Sequence, residues 1–455
     1  MRSPTLSTLS LAIAVLASTG CASYGVIDNL PQTVSGKATS YGIRSWNHGH
    51  RTNDISLFIA FSGGGTRAAA LAYGALEELR DTRVAIDGHP TRLLDEIDVI
   101  SSVSGGSFTA AYYGLFGDRI FDDFEDKFLR RDIEGRLIRG LFNPLQWFSE
   151  TGRTEMAVNY YEQAVFGGAT FADLADADGP LLLINASDLG YGVRFSFVQE
   201  YFDLLCSDIA SFPIARAVTA SSAVPVLFNP VVVRNYRDCK QGVPEWLVLA
   251  EHRAKGDPDM GEVVRGLQSY YKTEKRDYAH FVDGGITDNL GLRAFYEIIE
   301  IAGGPVALLE RRGAKLPRRL AVISVNASTD PEPDMDESNE APSLKETVSA
   351  VTDIQLHRYN AATLDLTKQS IARWAKEMST PKRPVTSYAM EASFRGIPDP
   401  EQRRFFNRVP TSFALSDEQV DRLIAAGRKI IRNNPEFQRL VADLGGRDPG
   451  TVNAD

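Results

Sequence analysis

The sequence predicts an α/β fold with a buried, mostly parallel central sheet. Short β-prone runs alternate along the chain with segments of helical composition, and these runs are almost wholly apolar. Strands covered by helices on both faces have this composition, whereas half-exposed strands alternate apolar and polar residues. The 455 residues, 43% hydrophobic and 24% charged, are sufficient for one large domain with a sizeable core.

The first strand–loop–helix unit begins the predicted domain. Residues 55–62 (ISLFIAFS) form the strand, glycines occupy positions 63–65, and an alanine- and leucine-rich helix continues to residue 80. Glycines at a helix N-terminus leave backbone N–H groups unshielded, so this loop is a candidate oxyanion or phosphate cradle. The lysine of a phosphate-binding P-loop is absent, which disfavours a nucleotide ligand.

The second unit places a serine on a sharp turn. The apolar run 97–101 (IDVIS) leads into SVSGGS at 102–107, and another helix follows to about residue 114. Ser104 therefore lies between a strand and a helix, where small neighbours let the backbone bend and expose the hydroxyl. This is the geometry of a nucleophile elbow.

An aspartate far downstream is the candidate base. A serine hydroxyl is a weak nucleophile until a neighbouring group takes its proton. Asp283 follows the apolar pair 281–282 and precedes Gly284 and Gly285, which is the context of a strand-end catalytic carboxylate. Asp188 is a second acid at a strand end, but it lacks these glycines, so we expect it to stabilise a turn.

The remaining elements complete the alternating pattern. A polar segment at 236–278 is expected to be an irregular surface insertion. Further strands are predicted at residues 181–185, 193–197, 226–233 and 319–326, and helices at residues 212–223, 293–301, 343–377 and 417–431.

Three motifs in a fixed order resemble the patatin-like phospholipase family. They are FSGGGTRAAA, then SVSGGS about forty residues on, then VDGG, and the resemblance extends from residue 55 to residue 326. Two positions depart from the family pattern: Ser102 stands where the G-x-S-x-G elbow has its first glycine, and Ala68 stands where the oxyanion loop would end in glycine. Gly106 keeps the second glycine of the elbow.

The resemblance implies a three-layer α/β/α patatin-like fold with a helical cap and a serine–aspartate dyad that uses no histidine, metal or cofactor. Ser104 would be the nucleophile and Asp283 the base, with Gly284 and Gly285 completing the aspartate motif. Arg67 would assist catalysis or be a surface cation. The oxyanion loop would consist of Gly63, Gly64, Gly65, Thr66 and Arg67.

The cap is expected within residues 121–175, where aromatic residues and arginines recur at roughly helical spacing. Such a segment could contact acyl chains or a membrane surface. The alternative is a helical pair packed on the sheet with its arginines in water, because Asp132 and Glu134 dilute the positive charge.

The N-terminus predicts export. Residues 1–20 read as a signal peptide, with Arg2 before an apolar core at 9–17 that is too short to span a bilayer comfortably. Cys21 follows small residues, as in a bacterial lipobox, and we expect it to be lipidated; ordinary cleavage nearby, giving a soluble secreted protein, is the alternative. No aspartate follows Cys21, which favours an outer-membrane lipoprotein in the bacterial cell envelope.

The expected boundaries follow from these signals. Residues 21–53 would form a lipidated tether, residues 54–435 the acylhydrolase domain, and residues 436–455 a flexible tail. Once Cys21 carries lipid, Cys206 and Cys239 remain as an even pair in an oxidising compartment. A disulfide between them is expected, and two buried free thiols are the alternative.

The combined pattern predicts a serine lipid acyl hydrolase of the phospholipase A or lysophospholipase type, acting on a phospholipid or another acyl ester. The net charge of −10 argues against a nucleic-acid partner, because no block of basic residues is available to neutralise phosphates. Membrane association would come from the anchor and the cap. A serine peptidase or thioesterase with a Ser-His-Asp triad stays open, since His357 follows Asp283 in the chain, as does a non-catalytic lipid-binding lipoprotein. His280 is expected to be structural.

Overall fold

The computed structural model describes residues 25–32, 41–45, 51–86, 88–133, 135, 152–225, 227–236, 239, 243–272, 274–330, 335 and 339–446. The predicted signal peptide at 1–20 and the predicted lipidation site, Cys21, lie outside these residues. So does the centre of the predicted cap, at 136–151.

Eight strands form the central sheet, and two short two-stranded sheets flank it. In chain order the strands are β1 (Leu30–Pro31), β2 (Ile55–Phe61), β3 (Arg83–Ile86), β4 (His89–Arg92), β5 (Ile97–Val103), β6 (Leu181–Asp188), β7 (Val193–Ser196), β8 (Ser207–Asp208), β9 (Val231–Arg234), β10 (Tyr278–Asp283), β11 (Arg319–Asn326) and β12 (Thr386–Ser393). The central sheet has the order β12-β11-β2-β5-β6-β10-β9, with β7 paired to β6.

Helices occupy most of the chain between these strands. In chain order they are α1 (Gly65–Asp81), α2 (Gly105–Phe116), α3 (Ile120–Phe124), α4 (Arg153–Tyr161), α5 (Phe171–Asp176), α6 (Gln199–Phe202), α7 (Ile214–Ser221), α8 (Glu245–Arg253), α9 (Pro258–Lys272), α10 (Gly285–Asp288), α11 (Arg293–Ala302), α12 (Pro305–Arg311), α13 (Leu344–Met378), α14 (Pro400–Asn407), α15 (Asp417–Arg432) and α16 (Pro435–Asp443).

The sheet is mostly parallel and covered on both faces. β12, β11, β2, β5 and β6 pair in parallel, and all seven residues of β5 are buried. Phe58 of β2 stacks on Phe295 of α11, whereas Phe61, on the opposite face of the same strand, approaches Gly106 of α2. The three-layer α/β/α architecture expected from the resemblance is therefore present.

One edge of the sheet is antiparallel. β10 pairs antiparallel with both β6 and β9, and β7 pairs antiparallel with β6. Because β10 runs against β6, its last residue, Asp283, lies opposite Ala186 rather than at the end of a parallel ladder. This reversal brings the aspartate beside the carboxyl end of β5.

Two expected boundaries are wrong. Residues 436–455 do not all form a flexible tail, because α16 buries Phe437, Leu440 and Val441 in the core. Residues 21–53 are not a free tether throughout either. β1 pairs with β8 within that range, and the buried Tyr41 hydroxyl accepts the Leu182 N–H at 2.6 Å.

None of the described helices is long and apolar enough to cross a membrane.

Candidate active site

Ser104 lies on the turn between β5 and α2. Its backbone has φ 51° and ψ −123°, a conformation that non-glycine residues rarely adopt and that clusters at functional sites. The two residues after it have no room for a side chain. A Cβ on Gly105 would lie 1.9 Å from the Gly65 carbonyl oxygen, and a Cβ on Gly106 would lie 2.7 Å from the Phe61 Cβ. The elbow expected from the small-residue pattern is present.

The departure at Ser102 is accommodated by a hydrogen bond. Its side chain is fully buried, and its hydroxyl accepts from the Ser107 hydroxyl at 3.1 Å. The extra polar atom is therefore satisfied at the place where the family pattern has glycine.

Ser221 and Asn185, which the sequence analysis did not identify as site residues, fix the position of the elbow by hydrogen bonds. The backbone N–H of Ser104 donates to the Ser221 hydroxyl at 2.9 Å, and that hydroxyl donates to the Asn185 carbonyl at 2.6 Å. The Ser221 carbonyl accepts the N–H of Gly284 at 3.0 Å. The C-terminus of α7 thus connects the serine turn to the aspartate turn. Ser221 lies in the small-residue stretch IARAVTASSAVP at 214–225, within the region that resembles the patatin-like family, and this stretch is the signal that the sequence offers.

The structure brings Ser104 and Asp283 together. The Ser104 hydroxyl donates to Oδ2 of Asp283 at 2.8 Å, and Oδ1 accepts the N–H of Gly285 at 2.7 Å. Gly284 must be glycine, because a Cβ there would lie 2.4 Å from the Asn185 carbonyl oxygen. Both side chains are buried, with 5% of Ser104 and 8% of Asp283 exposed. The two predicted residues therefore form one hydrogen-bonded pair.

Burial sets the electrostatics of this pair. Desolvation raises the pKa of Asp283 from 3.8 to about 6, against the smaller opposing effects of the hydrogen bonds from Gly285 and Ser104. No arginine or lysine among the described residues forms a salt bridge with it. The carboxylate is a stronger base than an exposed aspartate while still ionised at neutral pH.

The histidines are placed elsewhere. On β10, His280 is exposed and lies three positions before Asp283, so the two side chains point to opposite faces of the sheet. His357 lies on α13, where it interacts with the Asp330 carboxylate. Within the described part of the chain, no histidine hydrogen-bonds to Ser104 or Asp283. Ser104, Asp283 and His357 follow the Ser…Asp…His order in the chain, but they do not form a hydrogen-bonded triad.

The glycine loop lies against the elbow but offers fewer donors than expected. Gly63 donates its N–H to the Asn289 carbonyl at 2.9 Å, and Thr66 donates its N–H to the Ser412 carbonyl at 2.9 Å. Gly64 and Gly65 have positive φ angles, 136° and 58°, and their N–H groups meet no acceptor among the described residues. The candidate oxyanion donors are thus Gly64 and Gly65, not Gly63 or Thr66.

The Arg67 side chain binds protein acceptors and is not available as an oxyanion donor. Arg67 is buried, with 5% of the residue exposed, and its guanidinium donates to the Ala327 carbonyl, the Val409 carbonyl and the Thr411 hydroxyl at 2.9, 2.5 and 3.0 Å. Burial lowers its pKa to about 10. The expectation that Arg67 belongs to the oxyanion hole is wrong for its side chain, and so is the surface-cation alternative.

Cys206 and Cys239 are joined by a disulfide, with their Cα atoms 5.5 Å apart. The bond lies beside β8, where the Cys206 carbonyl accepts the N–H of Gln32 at 2.8 Å.

Asp188 is buried and forms a salt bridge with Arg276, which agrees with the structural role expected for it.

A serine on a strand–helix turn, hydrogen-bonded to a buried carboxylate beside a glycine loop, defines an α/β ester hydrolase site. A family model for patatin-like phospholipases matches residues 59–296, more than half of the chain. The chain therefore belongs to the patatin-like phospholipase family, whose members are lipid-hydrolysing esterases.

Two solved structures are similar at low identity. Human GIVD cytosolic phospholipase A2, in complex with methyl γ-linolenyl fluorophosphonate, is 13% identical over 86% of this chain and 59% of its own, with a TM-score of 0.38. The type III effector protein ExoU is 14% identical over 92% of this chain and 93% of its own, with a TM-score of 0.23. This chain thus spans about three fifths of the length of the human enzyme. No curated protein sequence matches it.

Proposed function

We propose that this protein is a serine lipid acyl hydrolase that works through the Ser104–Asp283 dyad. The observation that carries the proposal is the 2.8 Å hydrogen bond from the Ser104 hydroxyl to Oδ2 of Asp283. Ser104 Oγ attacks the ester carbonyl while Asp283 takes the hydroxyl proton. The tetrahedral intermediate then expels the alcohol, which receives that proton, and leaves an acyl-enzyme. Water, deprotonated by Asp283, releases the fatty acid and restores the serine.

The dyad depends strongly on stabilisation of the oxyanion. A carboxylate with a pKa of about 6 remains a weak base for a hydroxyl, so the negative oxygen must be held by fixed donors. The N–H groups of Gly64 and Gly65 lie beside the elbow, and the N-terminus of α2 begins immediately after Ser104. Removing one such donor typically costs about 3–4 kcal/mol of transition-state stabilisation.

A phospholipid is the proposed substrate class, on the strength of the family. The test is to incubate purified protein with mixed phospholipids and identify the fatty acids and lysolipids released, with Ser104→Ala as the matched control. We expect fatty-acid release by the wild type and none by the variant. Fatty-acid release by both proteins, or cleavage of a peptide or thioester in place of the phospholipid, would contradict the proposal.

We also propose that the protein is held at the outer membrane through a lipid on Cys21, with the 121–175 cap as a second contact. The lipobox-like sequence before Cys21 supports this. Cys21→Ser should release the protein from membrane fractions while leaving hydrolysis of a soluble ester intact. Membrane fractionation that persists after normal signal cleavage would show that a lipid on Cys21 is not the anchor.

A further inference from the structure

A loop near the C-terminus touches the first turn of the oxyanion-loop helix. Residues 409–415, here called the C-terminal loop, connect α14 to α15 and lie more than one hundred residues beyond the family-matched region. The Ser412 carbonyl accepts the Thr66 N–H at 2.9 Å, and a Cβ on Gly65 would lie 2.6 Å from the same oxygen. The C-terminal loop therefore packs directly on the residues that carry the candidate oxyanion donors.

Arg67 binds the C-terminal loop a second time. Two of its guanidinium nitrogens, Nη1 and Nη2, donate to the Val409 carbonyl and the Thr411 hydroxyl, and Nε donates to the Ala327 carbonyl. Ala327 follows β11, and its own N–H donates to the Ser62 hydroxyl at the end of β2. Since all three nitrogens bond to protein acceptors in a buried site, the guanidinium is fixed by the fold and not by a substrate.

The C-terminal loop also contacts the nucleophile side of the site. The Phe413 ring packs edge-on against Phe108 of α2 at a centroid distance of 5.7 Å, and the Phe413 carbonyl accepts the Ile133 N–H at 3.2 Å. Helix α15, which follows, approaches α1 so closely that a Cβ on Gly427 would lie 2.4 Å from the Leu71 carbonyl oxygen. The loop is thus anchored at both ends and bridges α1 to α2.

We propose that the C-terminal loop positions the oxyanion donors, and that Arg67 is a positioning residue that acts through Thr411 and Val409 without touching the substrate. Gly64 and Gly65 have no side chains to fix their backbone, and both adopt left-handed φ angles. The bond from Thr66 to Ser412 and the contacts of Arg67 define where α1 begins. They therefore determine the direction in which the two glycine N–H groups point.

The inference rests on the proposed esterase function, because it assigns positioning residues to that same reaction. It predicts that a change in the C-terminal loop, far from the dyad in sequence, lowers the rate of the chemical step. A displacement of about 1 Å in a catalytic group can cost about 100-fold in rate. Binding of a small soluble ester should change little, because the proposed role of the loop is to position the oxyanion donors.

The experiment compares Thr411→Val, Arg67→Lys and the double variant in the full chain. Thr411→Val keeps the shape of the side chain and removes the acceptor of Nη2. We expect kcat for a short-chain ester to fall about tenfold in Thr411→Val and about 100-fold in Arg67→Lys, with KM nearly unchanged. The double variant should be no slower than Arg67→Lys alone, because both changes break the same contact.

Arg432→Gln is the matched control. Arg432 pairs with Glu78 and joins α15 to the other end of α1, so its loss should lower the melting temperature and leave kcat within about twofold. Thermal melting of every variant separates unfolding from slower chemistry, and Thr411→Val remains informative if Arg67→Lys does not fold.

Three outcomes would overturn the inference. A full kcat in Thr411→Val together with an inactive Arg67→Lys would show that Arg67 acts on the substrate directly. Unchanged kcat in both variants, with only lower melting temperatures, would show that the contacts serve folding alone. A wild type that neither turns over esters nor reacts with a fluorophosphonate at Ser104 would reject the proposed function, and the inference with it.

Discussion

Two buried aspartates on neighbouring strands differ in what surrounds them. Asp188 ends β6 and Asp283 ends β10, and both residues are buried. Asp188 accepts hydrogen bonds from the Arg276 guanidinium, the Tyr270 hydroxyl at 2.6 Å and the Gly190 N–H at 2.9 Å. Asp283 accepts only the Ser104 hydroxyl and one backbone N–H among the described groups.

This difference separates a structural carboxylate from a reactive one. The charge of Asp188 is compensated by a cation, so its burial stabilises a fixed arrangement. Desolvation by burial raises the pKa of Asp283 to about 6, and no cation forms a salt bridge with this carboxylate among the described residues to offset the rise. A position at a strand end does not make an aspartate a base; the absence of a cation and the presence of a hydroxyl do.

The largest expected effect is the loss of activity on changing the dyad. Ser104→Ala and Asp283→Asn should each lower kcat by about 10⁴-fold or more, and the double variant should be no worse, because the two residues act as one unit. The measurement is hydrolysis of a short-chain ester and of a phospholipid, with folding checked by thermal melting.

His280→Ala and His357→Ala are the controls for that prediction and should retain activity within about twofold. If His357→Ala were folded and as inactive as Ser104→Ala, the site would need a histidine and the dyad would be wrong. If Ser104→Ala kept full activity, the nucleophile would lie elsewhere.

The second expected effect concerns stability at the structural aspartate. Asp188→Asn should lower the free energy of unfolding by about 3–5 kcal/mol, because it leaves the buried Arg276 charge without its partner. The kcat per folded molecule should stay close to that of the wild type. Chemical denaturation measures the first quantity, and replacing Arg276 as well, in Asp188→Asn/Arg276→Gln, should recover part of the loss. A stable Asp188→Asn protein would remove the contrast between the two carboxylates.

The third expected effect is a gain in stability at the catalytic aspartate. The unfolded carboxyl has a pKa near 3.9 and the folded one near 6, so the folded state binds more protons between these values. Stability should therefore fall as the pH rises through this window. Asp283→Asn removes this cost and should be more stable than the wild type by about 1–3 kcal/mol at pH 8. The difference in stability between the variant and the wild type should vanish near pH 4. A variant that is less stable than the wild type at pH 8 would show that burial of the Asp283 carboxylate does not destabilise the folded state.

The smallest expected effect is the pH dependence of the reaction. Because the base must be ionised, kcat/KM should fall about tenfold per pH unit below about pH 6 and be flat above it. A pH–rate profile on a neutral, soluble ester measures this without titration of the substrate. If kcat/KM began to fall only below about pH 4, Asp283 would behave as an exposed carboxylate in the working enzyme.

The parts of the fold that the sequence predicts are those with a local signal. β2, β5 and β11 are apolar runs, and the elbow at Ser104 follows from small residues after a strand. The site pair, Ser104 and Asp283, was predicted from motifs that lie 179 residues apart in the chain. Only the family resemblance could join them, since spacing alone gives no contact.

The parts that were missed depend on distant partners or on weak periodicity. The role of Arg67 is set by acceptors 260 to 344 residues away, which no local pattern shows. The segment 236–278 was expected to be irregular but contains α8 and α9, whose many charged residues obscure apolar positions at helical spacing. α16 was missed although Asn434 before Pro435 is an N-terminal signal, and its side chain accepts the N–H of Glu436 at 3.0 Å.

If Cys21 carries the proposed lipid, the pairing of β1 with β8 would limit how far the domain could stand from the membrane. A free segment from residue 21 to residue 53 would reach about 110 Å when extended, at about 3.5 Å per residue. The chain is already in contact with the domain at Gly25, where an added Cβ would lie 2.5 Å from Val232. A lipid on Cys21, as proposed, would be separated from this contact by at most about 14 Å of chain. The edge of the domain that carries β9 would then lie close to the bilayer surface, which would restrict the orientations that the enzyme could adopt there.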